Sequence, residues 1–220
     1  MATTSPTEPA VDRLDPLEDD EAARSESPST RVLGWVLLVC GLIGALAAAV
    51  LTIEKIALVG DPDYIPSCNI NPILSCGSVM ITDQAEAFGF PNPLMGLAGF
   101  PAIAATGAAL LAGGRFARWY WLLLQAGVTF GVVFAHWLVF QSMYRIGALC
   151  PYCMVVWVVT ITAFTYVTLA NLDRFVRPGQ RRPVLDVLVR LPGTIVAVWL
   201  AGIAALALVR FWDNWVAMLS

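Results

Sequence analysis

Apolar residues along this chain gather into five long runs, and each run is separated from the next by a segment with polar or charged side chains. A helix needs roughly 20 residues to cross the hydrocarbon core of a bilayer, which is about 30 Å thick, and every run is close to that length. The pattern predicts five transmembrane helices, at Val32–Ile53, Pro93–Ala112, Ala117–Phe140, Leu149–Ala170 and Leu191–Val209. The predicted fold class is an all-α membrane protein, a four-helix transmembrane bundle with a fifth transmembrane helix.

The same pattern divides the chain into four parts. Residues 1–30 are rich in Pro, Ser, Thr, Asp and Glu, and we expect a disordered acidic cytoplasmic tail. Residues 31–171 hold the four-helix core, which includes a polar loop at 54–92. Residues 172–190 form a cytoplasmic linker, and residues 191–220 form the fifth helix and a short outer tail. The first run is not expected to be a cleaved signal peptide, because an acidic region precedes it and its apolar core is long.

Composition supports a membrane protein and excludes two other classes. The chain is 58% hydrophobic and only 13% charged, with a mean hydropathy of +0.72. A soluble domain of this size would need more charge to cover its surface. The sequence has no basic patch interleaved with aromatic residues, so we expect no nucleic-acid partner.

Positive charge is distributed unequally between the two ends of the predicted bundle. One end, which includes the N-terminus, carries most of the arginines: Arg31, Arg115, Arg118, Arg174, Arg177, Arg181, Arg182 and Arg190. The other end has only Lys55, Arg145 and Arg210. The positive-inside rule therefore predicts a multi-pass membrane protein with its N-terminus in the cytoplasm. The loop at 54–92 and the start of the fourth run are then extracytoplasmic, where disulfide chemistry is permitted.

Two of the five cysteines begin the fourth apolar run, in the motif Cys150-Pro151-Tyr152-Cys153. On a helix, this spacing places the two thiols about one turn apart on the same face. Pro151 suits a first helical turn, and the positive end of the helix favours a thiolate. The pair, named here the helix pair, is a candidate redox site. The alternatives are a metal-ligand pair or two inert core cysteines.

Cys68 and Cys76 form a second pair, named here the loop pair, in a turn-rich polar segment. By itself this pair is most simply a disulfide that staples the loop. A four-cysteine zinc site would need a second close pair, which the spacing of seven intervening residues does not give, so we expect no metal. Because the helix pair is predicted on the same side of the membrane, a redox shuttle between the two pairs is the favoured interpretation.

The two cysteine pairs and four residues between them occur in a characteristic order: Cys68, Cys76, Thr82, Phe88, Gly89, Asn92, Cys150 and Cys153. This order, over about Val32 to Ala170, resembles the vitamin K epoxide reductase family. The resemblance is to the bacterial members, which are quinone-dependent, disulfide-forming membrane enzymes.

The resemblance implies a relay of electrons. Cys68 would take electrons from an extracytoplasmic thioredoxin-fold dithiol oxidant, and Cys76 would pass them inward. Cys150 would form a transient disulfide with Cys76, which frees Cys153 to face a membrane quinone of the menaquinone or ubiquinone type. Some bacterial members have a thioredoxin-like domain fused after the fifth helix. Only about ten residues follow the fifth run here, so a separate partner protein is expected.

The resemblance also implies a quinone pocket. Thr82, Phe88 and Asn92 fall where the family lines this pocket, together with Cys153. Asn92 could donate a hydrogen bond to a quinone carbonyl. Two other functions remain open on sequence alone: a thiol reductant carrier that works in the opposite direction, and a non-catalytic scaffold with a stapled loop.

Several polar or small residues near the runs have simpler interpretations. Glu54 and Lys55 mark the point where the first helix leaves the lipid, and Gln125 forms a helix–helix hydrogen bond. His136 is a hydrogen-bonded packing residue, with a general acid as the alternative. In the second run, three glycines are expected to let helices approach closely: Gly96, Gly99 and Gly107. A short helix between the loop pair and Phe88 is expected to cap the bundle.

Overall fold

A computed structural model describes residues 28–61, 63–71, 73–175, 191–212, 214 and 216. Three stretches of the predicted tail, linker and outer end lie outside the described residues: 1–27, 176–190 and 217–220.

Five helices in the described part of the chain are long and apolar enough to cross a membrane: α1 (Pro28–Gly60), α3 (Pro93–Leu111), α4 (Arg118–Gln141), α5 (Pro151–Phe175) and α6 (Pro192–Arg210). Shorter elements connect or extend them: α2 (Cys76–Met80), a 3₁₀ turn (Asp83–Glu86) and a π-helical turn (Ser142–Ile146). No described residue belongs to a β-strand, apart from one isolated bridge. The predicted fold class, an all-α membrane protein, is confirmed.

Helix α5 lies at the centre of the bundle and contacts α1, α4 and α6, while α3 packs along α1. A buried cluster with members from four helices joins them at the end away from the loop pair, and it includes Leu37, Leu110, Trp121 and Val167. In a bilayer such contacts stabilise the fold through close packing rather than through removal of water. The predicted hydrogen bond from Gln125 is also present, because its Nε2 donates to Thr168 on α5 at 2.9 Å.

Glycine allows α1 and α3 to touch along their backbones. A Cβ atom on Gly107 would lie 2.4 Å from the backbone nitrogen of Leu38, and one on Gly96 would lie 3.0 Å from Ala48 Cβ. The predicted close approach is therefore confirmed at these two positions. It is wrong for Gly99, where a Cβ atom would have nothing within 4 Å. The helical period turns that position away from α1.

Gly107→Ala is expected to destabilise the bundle by about 1–3 kcal/mol, since α1 and α3 must separate to accommodate the added methyl group. Thermal unfolding of the purified protein in detergent measures this effect. Gly202→Ala is the matched control, because a Cβ atom on this α6 glycine would meet nothing within 4 Å. Equal unfolding temperatures for the two variants would contradict the close packing of α1 on α3.

Helix α1 continues to Gly60, about two turns past the predicted end. Glu54 and Lys55 therefore lie inside the helix, and their place at the lipid boundary stays a prediction. The side chains of Glu54 and Lys55 both have hydrogen-bonding or charged partners in the loop, and these contacts offset the cost of burying the two charges. The Nζ atom of Lys55 lies 2.8 Å from the carbonyl oxygen of Met80 and 2.8 Å from Glu86 Oε1.

His136 connects α4 to the fifth helix. Its Nδ1 lies 2.7 Å from the carbonyl oxygen of Val132, and its Nε2 accepts a 2.9 Å hydrogen bond from Trp199 Nε1 on α6. Both ring nitrogens thus have protein partners. The neutral tautomer with the proton on Nδ1 satisfies both bonds.

Candidate active site

The loop pair is joined by a disulfide bond between Cys68 and Cys76, whose Cα atoms are 5.6 Å apart. Asparagine and serine side chains shape the loop between the two cysteines. Asn71 Oδ1 accepts hydrogen bonds from two backbone N–H groups, and Asn69 Oδ1 accepts one from the N–H of Gly77 at 2.9 Å. Ser75 caps the start of α2. These side-chain hydrogen bonds satisfy backbone N–H groups in a segment that has no regular secondary structure.

Glu54 holds the start of this loop against α1. Its carboxylate is 6% exposed and accepts a hydrogen bond from Tyr64 at 2.9 Å and from both the N–H and the hydroxyl of Ser67. The bond to Glu54 raises the pKa of Tyr64. Ser67 directly precedes Cys68, so the buried carboxylate fixes the position of the first loop cysteine. This role could not be predicted, because a glutamate at the end of an apolar run is most simply a boundary residue.

A short parallel bridge docks the loop onto the start of α5. Leu74 and Leu149 form the bridge. The N–H of Leu149 donates to the carbonyl oxygen of Ile73 at 2.7 Å, and the N–H of Ser75 donates to the carbonyl oxygen of Leu149 at 3.0 Å. Cys76 lies two residues after Leu74, and Cys150 directly follows Leu149.

As a result, the two cysteine pairs are in contact. Cys150 Sγ lies 3.2 Å from Cys76 Sγ, and both residues are almost completely buried. Cys68 is 5% exposed. Cys150 and Cys153 are free thiols. The structure therefore brings together the four predicted cysteines, although they come from segments more than 70 residues apart.

The environment of Cys150 favours its thiolate. The hydrogen bond from the Cys153 thiol, with those from the backbone N–H groups of Cys153 and Tyr152, lowers the pKa of Cys150. These bonds outweigh the burial of Cys150, which raises the pKa. Cys150 precedes the first turn of α5, where N–H groups have no partner within the helix. A lowered pKa makes the Cys150 sulfur a good leaving group when a disulfide to Cys76 is opened.

A cavity of about 230 Å³ lies beside the helix pair, and both Cys150 and Cys153 belong to its wall. Most of the wall is apolar and comes from α1, α3, α4 and α5. Gly99 of α3 and Gly127 and Phe130 of α4 line the cavity and are also exposed. The cavity therefore extends to the outer surface of these two helices.

Of the four residues predicted to line a quinone pocket, the structure places Cys153 and Asn92 in the cavity wall. Its Nδ2 donates to the carbonyl oxygen of Gln84 at 2.7 Å, and its Oδ1 accepts from a backbone N–H at 3.1 Å. Thr82 lies behind the wall, where its hydroxyl donates to the carbonyl oxygen of Val79. Phe88 packs outside it, with its ring 5.4 Å from that of Phe134, which does line the cavity.

Five polar side chains in the wall were not predicted: Lys55, Gln84, Ser142, Trp157 and Thr160. Trp157 is 4% exposed, and its indole Nε1 has no hydrogen-bond partner among the described residues. It follows Cys153 by one helical turn, so its spacing was a usable signal. Ser142 begins the π-helical turn, for which the sequence has no comparable signal.

A helix bundle with five candidate membrane spans, in which two cysteine pairs meet beside an apolar cavity, defines a membrane thiol oxidoreductase. The sequence model of the vitamin K epoxide reductase family matches residues 35–168. This match covers more than half of the chain, so the protein belongs to that family. A search of curated proteins gave no match.

Proposed function

We propose that this protein reoxidises a separate thioredoxin-fold dithiol oxidant and passes two electrons through its two cysteine pairs to a membrane quinone. The observation that carries the proposal is the 3.2 Å contact between Cys150 Sγ and Cys76 Sγ, at the wall of a cavity that also contains Cys153. A disulfide that only staples a loop has no need of a free thiol in contact with it.

Electrons move inward by two thiol–disulfide exchanges. The partner dithiol first reduces the Cys68–Cys76 bond and becomes a disulfide. The Cys76 thiolate attacks Cys150 Sγ of an oxidised helix pair, so that a Cys76–Cys150 bond forms and the Cys153 thiolate leaves. The Cys68 thiolate then attacks Cys76 Sγ, which restores the loop disulfide and releases the Cys150 thiolate. A bridged loop pair beside a free helix pair, as found here, is the arrangement expected after this step.

The residues around the cavity fit the head group of a quinone. A protein cavity of about 150 Å³ already binds benzene, and the cavity here, of about 230 Å³, has room for a substituted ring. Trp157 has a buried N–H without a partner among the described residues, and Asn92 uses only one of its two N–H bonds on Gln84. These two donors would hold the carbonyl oxygens. When bound, a quinone supplies an acceptor for two electrons and two protons.

We propose that the cysteine end of the bundle is extracytoplasmic and that the membrane is the inner (plasma) membrane. The described arginines at the opposite end support this orientation: Arg31, Arg115, Arg118 and Arg174. Fewer positive charges accompany the loop pair, and Lys55 there is paired with Glu86. An extracytoplasmic site also agrees with a stable disulfide in the loop.

Mixing purified protein with quinone and a reduced thioredoxin-fold protein tests the proposal. We expect quinone absorbance to fall only when the partner is reduced, and the partner to gain one disulfide for each quinone consumed. The same partner in its oxidised form is the control. An inert mixture would contradict the proposal. Reduction of an oxidised partner by quinol would instead identify a carrier that works in the opposite direction.

A further inference from the structure

Side chains of the fifth helix segment pack against the bundle in two regions, one at Trp199 and one where Ile203 and Ala207 accompany Phe211. Most of α6 is exposed along its length. Trp199 donates its hydrogen bond to His136 and lies edge-on to Phe164, with ring centroids 6.1 Å apart. Phe211, just after the end of α6, is 4% exposed, whereas its neighbour Trp212 is 63% exposed. The segment is thus held at one point along α6 and at a second point near the loop pair.

The second point is part of the active-site support. Phe211 belongs to a buried cluster that also contains Ile73, Leu149 and Trp157, and Cys153 packs against this cluster. Ile73 and Leu149 are the residues whose backbones are hydrogen bonded in the bridge between the loop and α5. The cluster therefore holds together the two segments that carry the cysteine pairs.

This bridge is too small to be stable by itself. The two hydrogen bonds described for it join segments far apart in the chain, and even a whole two-stranded hairpin is marginal in water. Hydrophobic packing must hold the bridge in register. A phenylalanine ring is the largest contribution that the fifth helix segment makes to that packing.

We propose that the fifth helix positions the two cysteine pairs for exchange, with Phe211 as the positioning residue next to the Ile73–Leu149 contact. This inference rests on the proposed relay between the pairs. Replacing Phe211 with alanine would leave a void in the cluster, into which the loop segment can shift. A shift of about 1 Å between reacting atoms is enough to slow a reaction severalfold or more. In this account Phe211 acts through the bridge and takes no part in the exchange chemistry.

The test isolates the approach of one sulfur to the other. In a Cys68→Ser/Cys153→Ser background, Cys76 and Cys150 remain as the two thiols at the site, and diamide oxidises them to a disulfide. Cyanogen bromide cleaves after Met80 and Met143 and so places the two cysteines in separate fragments. The fraction of fragments that stay joined on a non-reducing gel, followed over time, gives the rate at which the Cys76–Cys150 bond forms. This rate is independent of quinone and of the partner.

We expect Phe211→Ala to slow this bond formation roughly tenfold, while Trp212→Ala, the matched control, stays within about twofold of the parent. Phe211→Leu refills part of the cluster and should recover part of the lost rate. Thermal unfolding identifies any variant that is not folded. If Phe211→Ala is not folded, Phe211→Leu is compared with the parent instead, and we expect its bond formation to be roughly threefold slower.

Two contrary results are distinguishable. If Phe211→Ala forms the bond as fast as Trp212→Ala, the positioning role is overturned but the relay stays intact. Where Phe211→Ala does not fold, the same comparison is made between Phe211→Leu and Trp212→Ala. Failure of Cys76 and Cys150 to form a disulfide in the parent with native Phe211 would overturn the proposed relay itself.

Discussion

Cys153→Ala is expected to abolish the reduction of quinone by the thiol partner, with a fall in rate of at least about a thousandfold. Cys153 lies in the cavity wall and is the leaving thiolate of the internal exchange. Without it the helix pair cannot hold a disulfide, so electrons from Cys76 have no acceptor. Quinone absorbance, followed with reduced partner in excess, measures the effect.

Cys40→Ala is the matched control for this variant. Cys40 is also a free, buried cysteine, but it lies in α1 within a cluster that contains Phe100 and Val159. Its replacement removes the same sulfur atom without touching either pair, so the rate should stay within about twofold. Quinone turnover that survives in Cys153→Ala would mean that electrons bypass the helix pair.

Cys76→Ala is expected to separate the reaction into two halves. Partner-driven reduction of quinone should fall at least about a hundredfold, because the loop pair can no longer pass electrons inward. Reduction of quinone by dithiothreitol should persist, because loss of the Cys68–Cys76 bond frees the loop that covers the helix pair. The two rates are measured on the same preparation with the two reductants in turn.

The order of the relay depends on this difference. Cys150→Ala should lose activity with both reductants, since it breaks the pair beside the cavity. Equal and complete loss with both reductants in Cys76→Ala would place the loop pair next to quinone and would contradict the proposed order of exchange.

The membrane-spanning part of the fold could be predicted from the sequence because lipid imposes a simple length requirement on apolar helices. All five predicted spans are present as helices. The end of α1 could not be predicted, because hydropathy treats Glu54 and Lys55 as solvent-exposed charges. Their partners, among them Tyr64 and Met80, come from a loop whose path the local sequence does not determine.

In the candidate site, the sequence identified the four cysteines but not the contacts that bring them together. The bridge between Leu74 and Leu149 joins residues 75 positions apart and consists of backbone hydrogen bonds, which any side chain permits. The burial of Phe211 was equally hidden. A phenylalanine beside Trp212 at a helix end has the pattern of a membrane-interface residue. Only the packed structure shows that Phe211 is buried while Trp212 is exposed.

A disulfide this deeply covered does not react with every thiol that diffuses past it. Exchange requires a thiolate to reach a sulfur atom, and both sulfurs of the bridged loop pair belong to buried residues, with Cys68 only 5% exposed. Small free thiols therefore have no open approach, whereas a protein that binds the loop and displaces it has one. If the proposed relay operates, burial of Cys68 restricts its source of electrons to a protein that can bind this loop.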